Sequence, residues 1–357
     1  MPIKNRTSIS FIPAVAERGT EGRKEEQPAA AMSSAGNNEM QLSDPPTDGI
    51  SAVCFAPASD LLLASSWDST LRLYDARQNL SKRVIPSKMA QLDCCFKDTS
   101  ATGFCGGLDK QVKQVDLETG AVTLLGSHEK AVRCVEYNAS TGTVLTGGWD
   151  AKLNAWDPRS KQALVQSRPA PGKVFTMSVS DMRAVVGTSN RHIWVYDMRS
   201  LAEPEQRRVS SLKYQTRCVR IFPDQKGYAV GSVEGRVAVE YFDTSKESQD
   251  NKYAFKCHRK GDQVFPVNAM AFHPVYGTFA SGGCDKMVNI WDGKNKKRLW
   301  QSSAYNTGIS SLSFNHDGTR LAIASSYTFE QGAIAHPKDQ IFVRDVMDSD
   351  VRPKARK

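Results

Sequence analysis

No stretch of this sequence approaches the ~18–20 consecutive apolar residues that a helix needs to cross a bilayer. A helical membrane anchor is therefore not expected. The first residues include basic side chains but no apolar segment behind them, and no secretory leader is read there. There are eight cysteines (Cys54, Cys94, Cys95, Cys105, Cys134, Cys218, Cys257 and Cys284), with no Cys-x-x-Cys among them. Most lie in apolar runs such as Val132-Arg133-Cys134-Val135. They read as reduced core thiols of a cytosolic or nuclear protein, not as disulfides or zinc ligands. The six histidines are scattered, none at metal spacing from a cysteine. No metal and no cofactor are expected. Acidic charge is the scarcer sign: 38 Asp and Glu against 47 Lys and Arg, a net charge of +9. Lys294, Lys296, Lys297 and Arg298 form a basic run, and the sequence ends Arg352-Pro353-Lys354-Ala355-Arg356-Lys357. Nucleic-acid binding is one reading of that excess. The basic residues are not interleaved with aromatics for base stacking, so a solvated turn and a frayed tail is the preferred reading.

What the chain does have is one short phrase, repeated. Ser65-Ser66-Trp67-Asp68 is followed by Leu71-Arg72-Leu73-Tyr74-Asp75; Gly106-Gly107-Leu108-Asp109 by Asp116; Gly147-Gly148-Trp149-Asp150 by Trp156-Asp157. Weaker copies are Asn190 with Tyr196-Asp197 and the run Glu234 to Tyr241. Gly282-Gly283-Cys284-Asp285 with Trp291-Asp292 is clear again, and Ile341-Phe342-Val343-Arg344-Asp345 closes the seventh. Asp75 to Asp116 is 41 residues, Asp116 to Asp157 is 41, and Asp157 to Asp197 is 40. A period of roughly 40–45 residues with four short strands per unit is the signature of WD repeats. The fold class expected is all-β, a seven-bladed β-propeller with a disordered N-terminal extension.

Residues 1–39 are read as that extension, because no apolar periodicity survives in them. Met32-Ser33-Ser34 offers a second start, which would make residues 1–31 dispensable. The propeller is assigned to 40–346 and a basic tail to 347–357. A first short strand near Met40–Leu42 should complete the last blade beside Ile341–Val343 and remove an open sheet edge. The insertions Thr244–Lys252 and Tyr327–Gln340 are read as polar loops leaving the ring.

Three groups of residues stand out. His128, Thr146, Asp150 and Trp156 fit a buried hydrogen-bonded relay, acceptable only if every member is satisfied. It resembles a hydrolytic triad, but it repeats incompletely in other units, as a catalytic site would not, so no enzyme is expected. Trp67 and Trp149 hold the rim position before the turn Asp, occupied elsewhere by Leu108, Ser189, Val233 and Cys284. Exposed indoles suit peptide binding; the alternative is that loops cover both rings. Arg217 enters the first strand of unit five and Arg236 leaves its second turn, so two guanidinium forks could converge on a phosphate. Arg133 holds the same register in unit three, which leaves Arg217 open as an ordinary strand-end residue.

At these residues the sequence resembles a family. Ser211-Leu212-Lys213-Tyr214-Gln215-Thr216-Arg217-Cys218, Glu234-Gly235-Arg236-Val237-Ala238-Val239-Glu240-Tyr241 and Lys252-Tyr253-Ala254-Phe255-Lys256-Cys257-His258-Arg259 are similar to the mitotic checkpoint WD-repeat proteins of the budding-uninhibited-by-benzimidazoles family. So are Asp48-Gly49-Ile50-Ser51, Val132-Arg133-Cys134-Val135-Glu136-Tyr137 and Leu321-Ala322-Ile323-Ala324-Ser325-Ser326-Tyr327. The match runs through about residues 40–345. It implies a non-enzymatic adaptor of the spindle assembly checkpoint, nuclear or cytoplasmic and at kinetochores in mitosis. Trp67 and Trp149 would grip a short motif in the checkpoint kinase and its pseudokinase-like relative. Arg217 and Arg236 would bind phosphothreonine on a kinetochore scaffold. A monomeric ring without membrane or nucleic-acid contact is implied. Three features depart from the pattern. The N-terminal extension is longer than the family needs. Asp285-Lys286 replaces an Asp–Gly turn. Phe272-His273-Pro274-Val275 and the basic tail lean toward a sibling, the mRNA-export WD-repeat protein that docks on nucleoporins.

Overall fold

The structure, a computed structural model, describes residues 38–354. The readings placed on residues 1–37, the extension and the second start, lie outside the described residues. Seven four-stranded antiparallel sheets follow one another along the chain. Blade 1 runs from Ile50–Phe55 to Leu80–Pro86, blade 2 from Gln91–Phe96 to Val122–Ser127, and blade 3 from Val132–Asn138 to Leu164–Pro169. Blades 4, 5 and 6 begin at Val174–Val179, Thr216–Ile221 and Val267–Phe272. Blade 7 contains Ile309–Phe314, Arg320–Ser325 and Gln340–Asp345, and its fourth strand is Glu39–Gln41 from the other end of the chain. That closing strand pairs Glu39 with Arg344, Met40 with Val343 and Gln41 with Phe342. Closure is thus made as the repeat offset requires, with Glu39 already in the ladder. The innermost strand of each blade touches that of the next, and blade 7 meets blade 1.

Burial follows from this stacking. Second strands such as Leu61–Ser66 and Thr143–Gly148 lie between neighbouring blades and are buried almost throughout. Outer strands such as Val122–Ser127 are largely exposed. The paired glycines of the repeated phrase have a physical cause. A methyl group on Gly147 would lie 2.4 Å from Val174 of blade 4, and one on Gly148 would lie 2.6 Å from the His128 ring. Side-chain hydrogen bonds also knit blades together at the axis. Ser311 and Ser313 of blade 7 accept from the Val53 and Phe55 amides of blade 1, and Thr176 and Ser178 of blade 4 accept from Val219 and Ile221 of blade 5.

The segment assigned as the basic tail, 347–357, begins as packed structure. Residues Asp348–Val351 form one helical turn, and Val351 is 1% exposed. Its carbonyl accepts from Thr278 at 2.8 Å, and Asp350 pairs with Arg344 at 3.1 Å. A buried valine and a buried acceptor anchor this turn to blades 6 and 7, which composition alone did not reveal. The stretch Phe272-His273-Pro274-Val275 is also mainly structural: His273 is buried against Tyr276 and Phe314 and accepts the Val275 and Tyr276 amides.

Candidate functional site

The relay in blade 3 is complete. His128 Nδ1 meets the Asp150 carboxylate at 3.0 Å, its Nε2 meets Thr146 Oγ1 at 2.7 Å, and Trp156 Nε1 donates to the same hydroxyl at 2.8 Å. Burial holds the His128 imidazole below its ordinary value, against the pull of Asp150 in the other direction. Blade 6 repeats the set with His258, Asp285, Ser281 and Trp291. Each hydroxyl is enclosed and already bonded twice, so no side chain here is free to attack a substrate. The thiols are equally quiet: burial pushes Cys54, Cys105, Cys134 and Cys218 up to about 12, far from the thiolate that reactivity needs.

The rim positions are tied in one way. The amides of Trp67, Leu108, Trp149, Ser189, Val233 and Cys284 each donate to a carbonyl just ahead of the blade's first strand, as Trp67 does to Gly49 at 2.8 Å. Ser326 makes the seventh such bond, to Gly308. The sequence hid it because no turn Asp follows it. The rim is therefore a ring of equivalent sites, and only its occupants differ.

Inside that rim the first strand of every blade carries a register shift. The residues passed over are Ser51, Leu92, Arg133, Phe175, Arg217, Asn268 and Ser310. A bulge re-aims its side chain, and all seven line one cavity of about 610 Å³ on the axis of the ring. Trp67 and Trp149 line the same cavity. Trp67 is 46% exposed, and its indole lies on Gly49, where a methyl group would sit 3.3 Å from Cδ1. Trp149 is half-buried, and its Nε1 is a buried donor without a partner. The contrast within blade 3 is direct: Trp156 has its indole proton satisfied and Trp149 does not.

Arg217 lines this cavity too, with Asn268 Oδ1 accepting from its Nη2 at 3.0 Å and its Nε at 3.3 Å. Arg133 is on the wall as well, through the equivalent bulge, so the shared register noted in the sequence is real. Arg236 is not among the lining residues. It opens the third strand of blade 5, opposite Lys256, and its Nε is 3.8 Å from the Glu234 carboxylate. Arg217 enters the first strand of blade 5 and Arg236 leaves its second turn, as read from the sequence; Gly227–Ser232 lies between them, a separation of about 10 Å in backbone. The insertion Tyr327–Gln340 was read as a polar loop leaving the ring. Instead its Tyr327, Thr328, Phe329 and His336 form part of the cavity wall.

Two family models match the chain: nucleolar protein 10-like, N-terminal domain, over residues 62–249, and the WD domain, G-beta repeat, over 37–75 and 250–292. Over most of its length the chain is similar to mitotic checkpoint protein BUB3.1 of Arabidopsis thaliana, 52% identical across 88% of this chain and 95% of that protein. Mitotic checkpoint protein bub3 of Dictyostelium discoideum is 49% identical across 88% and 96%. Protein RAE1 of Arabidopsis thaliana is 38% identical across 92% and 96%.

Proposed function

The chain belongs to the BUB3 family of mitotic checkpoint WD-repeat proteins, and from that premise we propose that it is a non-enzymatic adaptor that holds an unstructured partner segment on one face of its propeller. The segment is the short motif of the checkpoint kinase and of its pseudokinase-like relative, gripped by Trp67 and Trp149. A second ligand is a phosphothreonine repeat of a kinetochore scaffold, read by Arg217 and Arg236. Assembly then takes place at kinetochores in mitosis.

The observation that carries this reading is the meeting of an exposed indole, a second indole with an unsatisfied proton, and Arg217 in one cavity on the ring axis. Indoles combine apolar area with a donor and are over-represented at binding hot spots. Phosphothreonine brings about −1.5 to −2 charges at neutral pH, which a guanidinium fork can take with two hydrogen bonds. Arg236 lies two strands from Arg217, so a phosphopeptide would have to reach across the top of blade 5 to touch both. Trp67→Ala is expected to weaken the kinase motif by ~2 kcal/mol or more. Arg217→Ala with Arg236→Ala is expected to abolish binding of the phosphothreonine peptide and spare the motif, both read by calorimetry. Unchanged phosphopeptide affinity in the double variant would refute the arginine assignment.

The resemblance to RAE1 favours a second reading, an mRNA-export propeller bound to nucleoporins. A pull-down from mitotic cells with and without phosphatase separates the two. The adaptor recovers kinetochore scaffold only without phosphatase; the export protein recovers nucleoporins and mRNA in both.

A further inference from the structure

Phe329 sits at the tip of the blade 7 insertion, 66% exposed, with a backbone φ of +60°. A non-glycine residue in the left-handed region is strained, and such strain persists only where the surroundings impose it. The surroundings here are built. The Tyr327 amide donates to Asp339 at 3.1 Å, and the Tyr327 hydroxyl accepts from the Gln331 amide at 2.9 Å and donates to the Gly332 carbonyl at 3.0 Å. His336 closes on the Tyr327 ring, with centroids 4.8 Å apart. Thr328 Oγ1 lies 3.4 Å from the Asn268 amide that also serves Arg217. The loop is therefore fixed at its root, yet among the described residues the phenyl ring it presents has only the Tyr327 ring as an aromatic neighbour, at 6.4 Å. The fold holds an apolar side chain in water in a costly backbone state and gets little packing from it.

The same ring lines the cavity with Trp67 and Trp149. The root of its loop lies beside the first indole: the methyl position at Gly49 is 3.3 Å from Trp67 Cδ1 and 3.7 Å from Ser326 Oγ, one residue before Tyr327. We infer that Phe329 and Trp67 form the two faces of an apolar subsite, and that this subsite takes one large aromatic or branched aliphatic side chain of the bound segment. This rests on the adaptor reading and assigns to that site a residue class it selects. The strain is then part of binding. The loop is organised before the ligand arrives, so little ordering cost falls on association.

The test is calorimetry of a synthetic peptide carrying the checkpoint-kinase motif against the full chain, with melting temperatures measured beside it. Phe329→Gly is expected to weaken the peptide by about tenfold or more without lowering the melting temperature, because glycine accepts the left-handed backbone freely. Phe329→Leu is expected to keep most of the affinity. Val275→Ala, which trims another exposed apolar residue not on the cavity wall, should leave it unchanged. Alanine at the peptide position that fills the subsite should cost affinity in the wild type and almost none in Phe329→Gly. If Trp67→Ala weakens the peptide while Phe329→Gly stays within twofold, the subsite is overturned and the adaptor reading stands. If neither variant weakens it, both fall.

Discussion

In blades 1 and 2 the turn aspartates, Asp68 and Asp109, face a cation four residues on. Arg72 lies 3.2 Å from Asp68, and Lys113 pairs with Asp109. In blades 3 and 6 the fourth residue after the turn aspartate is Asn154 or Asn289, and a histidine from ahead of the first strand answers the carboxylate instead. The exchange extends to the neighbours. Lys113 also reaches the Ser87 hydroxyl, at 3.3 Å, in the place that His128 holds one blade later. The relay hydroxyl of Thr146 or Ser281 becomes Ala64 or Cys105 when no imidazole needs it. A buried carboxylate at each of these turns must have a partner, and which partner is interchangeable. Chemistry that can be swapped between repeats belongs to the scaffold. The cavity residues are not exchanged in this way: Trp67 and Phe329 are exposed, and the Trp149 indole proton has no partner among the described residues.

The largest expected effect comes from breaking the comparison on its ionic side. Arg72→Met leaves Asp68 buried without its cation and should cost about 3 kcal/mol, read as a shift in urea midpoint at constant slope. Burial raises the Asp68 carboxyl, but hydrogen bonds from Thr70 and Thr47 together with Arg72 hold it below the usual carboxylate range. Its stabilisation is present above about pH 4 and fades as the pH falls further. Next is His128→Ala, which strands Asp150 and Thr146 and should cost about 2 kcal/mol. Adding Asn154→Arg rebuilds blade 3 on the blade 1 plan and should recover part of that loss. The sign with pH sharpens the point. His128 titrates below its ordinary value when folded, so the unfolded chain binds the proton more readily. Its contribution is full above about pH 6.5 and is lost as the pH falls below that value. Unfolding measured from pH 7 to pH 5 should show a smaller slope in His128→Ala/Asn154→Arg than in the wild type, the remainder including His273, which burial also holds below its ordinary value.

The smallest effect concerns the turns themselves. Ser69, Lys110, Ala151 and Lys286 follow the turn aspartates with φ between +60° and +68°, where glycine is the unstrained choice. The departure seen in Asp285-Lys286 is therefore a change of residue and not of turn. Ala151→Gly should stabilise by about 0.5 kcal/mol in thermal unfolding, the relief of strain exceeding the entropy that glycine adds to the unfolded chain.

The ring, its closing strand and the relay were legible because each repeats: a period, an offset and a spacing can be counted. The positions of Trp67 and Trp149 were legible for the same reason. The cavity floor was not. Leu92, Phe175, Asn268 and Ser310 reach it through bulges, and a bulge is a property of two paired backbones that no single strand announces. Phe329 was missed because an insertion has no counterpart in other repeats, and its polar neighbours masked it. Arg217 and Arg236 were legible as the entry of the first strand and the exit of the second turn in unit five, with Gly227–Ser232 between them.

The central claim is that the axial cavity receives the partner segment. Hydrogen–deuterium exchange of the full chain with and without the kinase-motif peptide tests it most directly. The account predicts slowed exchange at residues 47–51, 66–69, 148–151, 215–217 and 326–336, with the outer strands unchanged. Protection confined to the opposite face, for instance at residues 97–102 or 116–121, with those cavity segments unaltered, would contradict it.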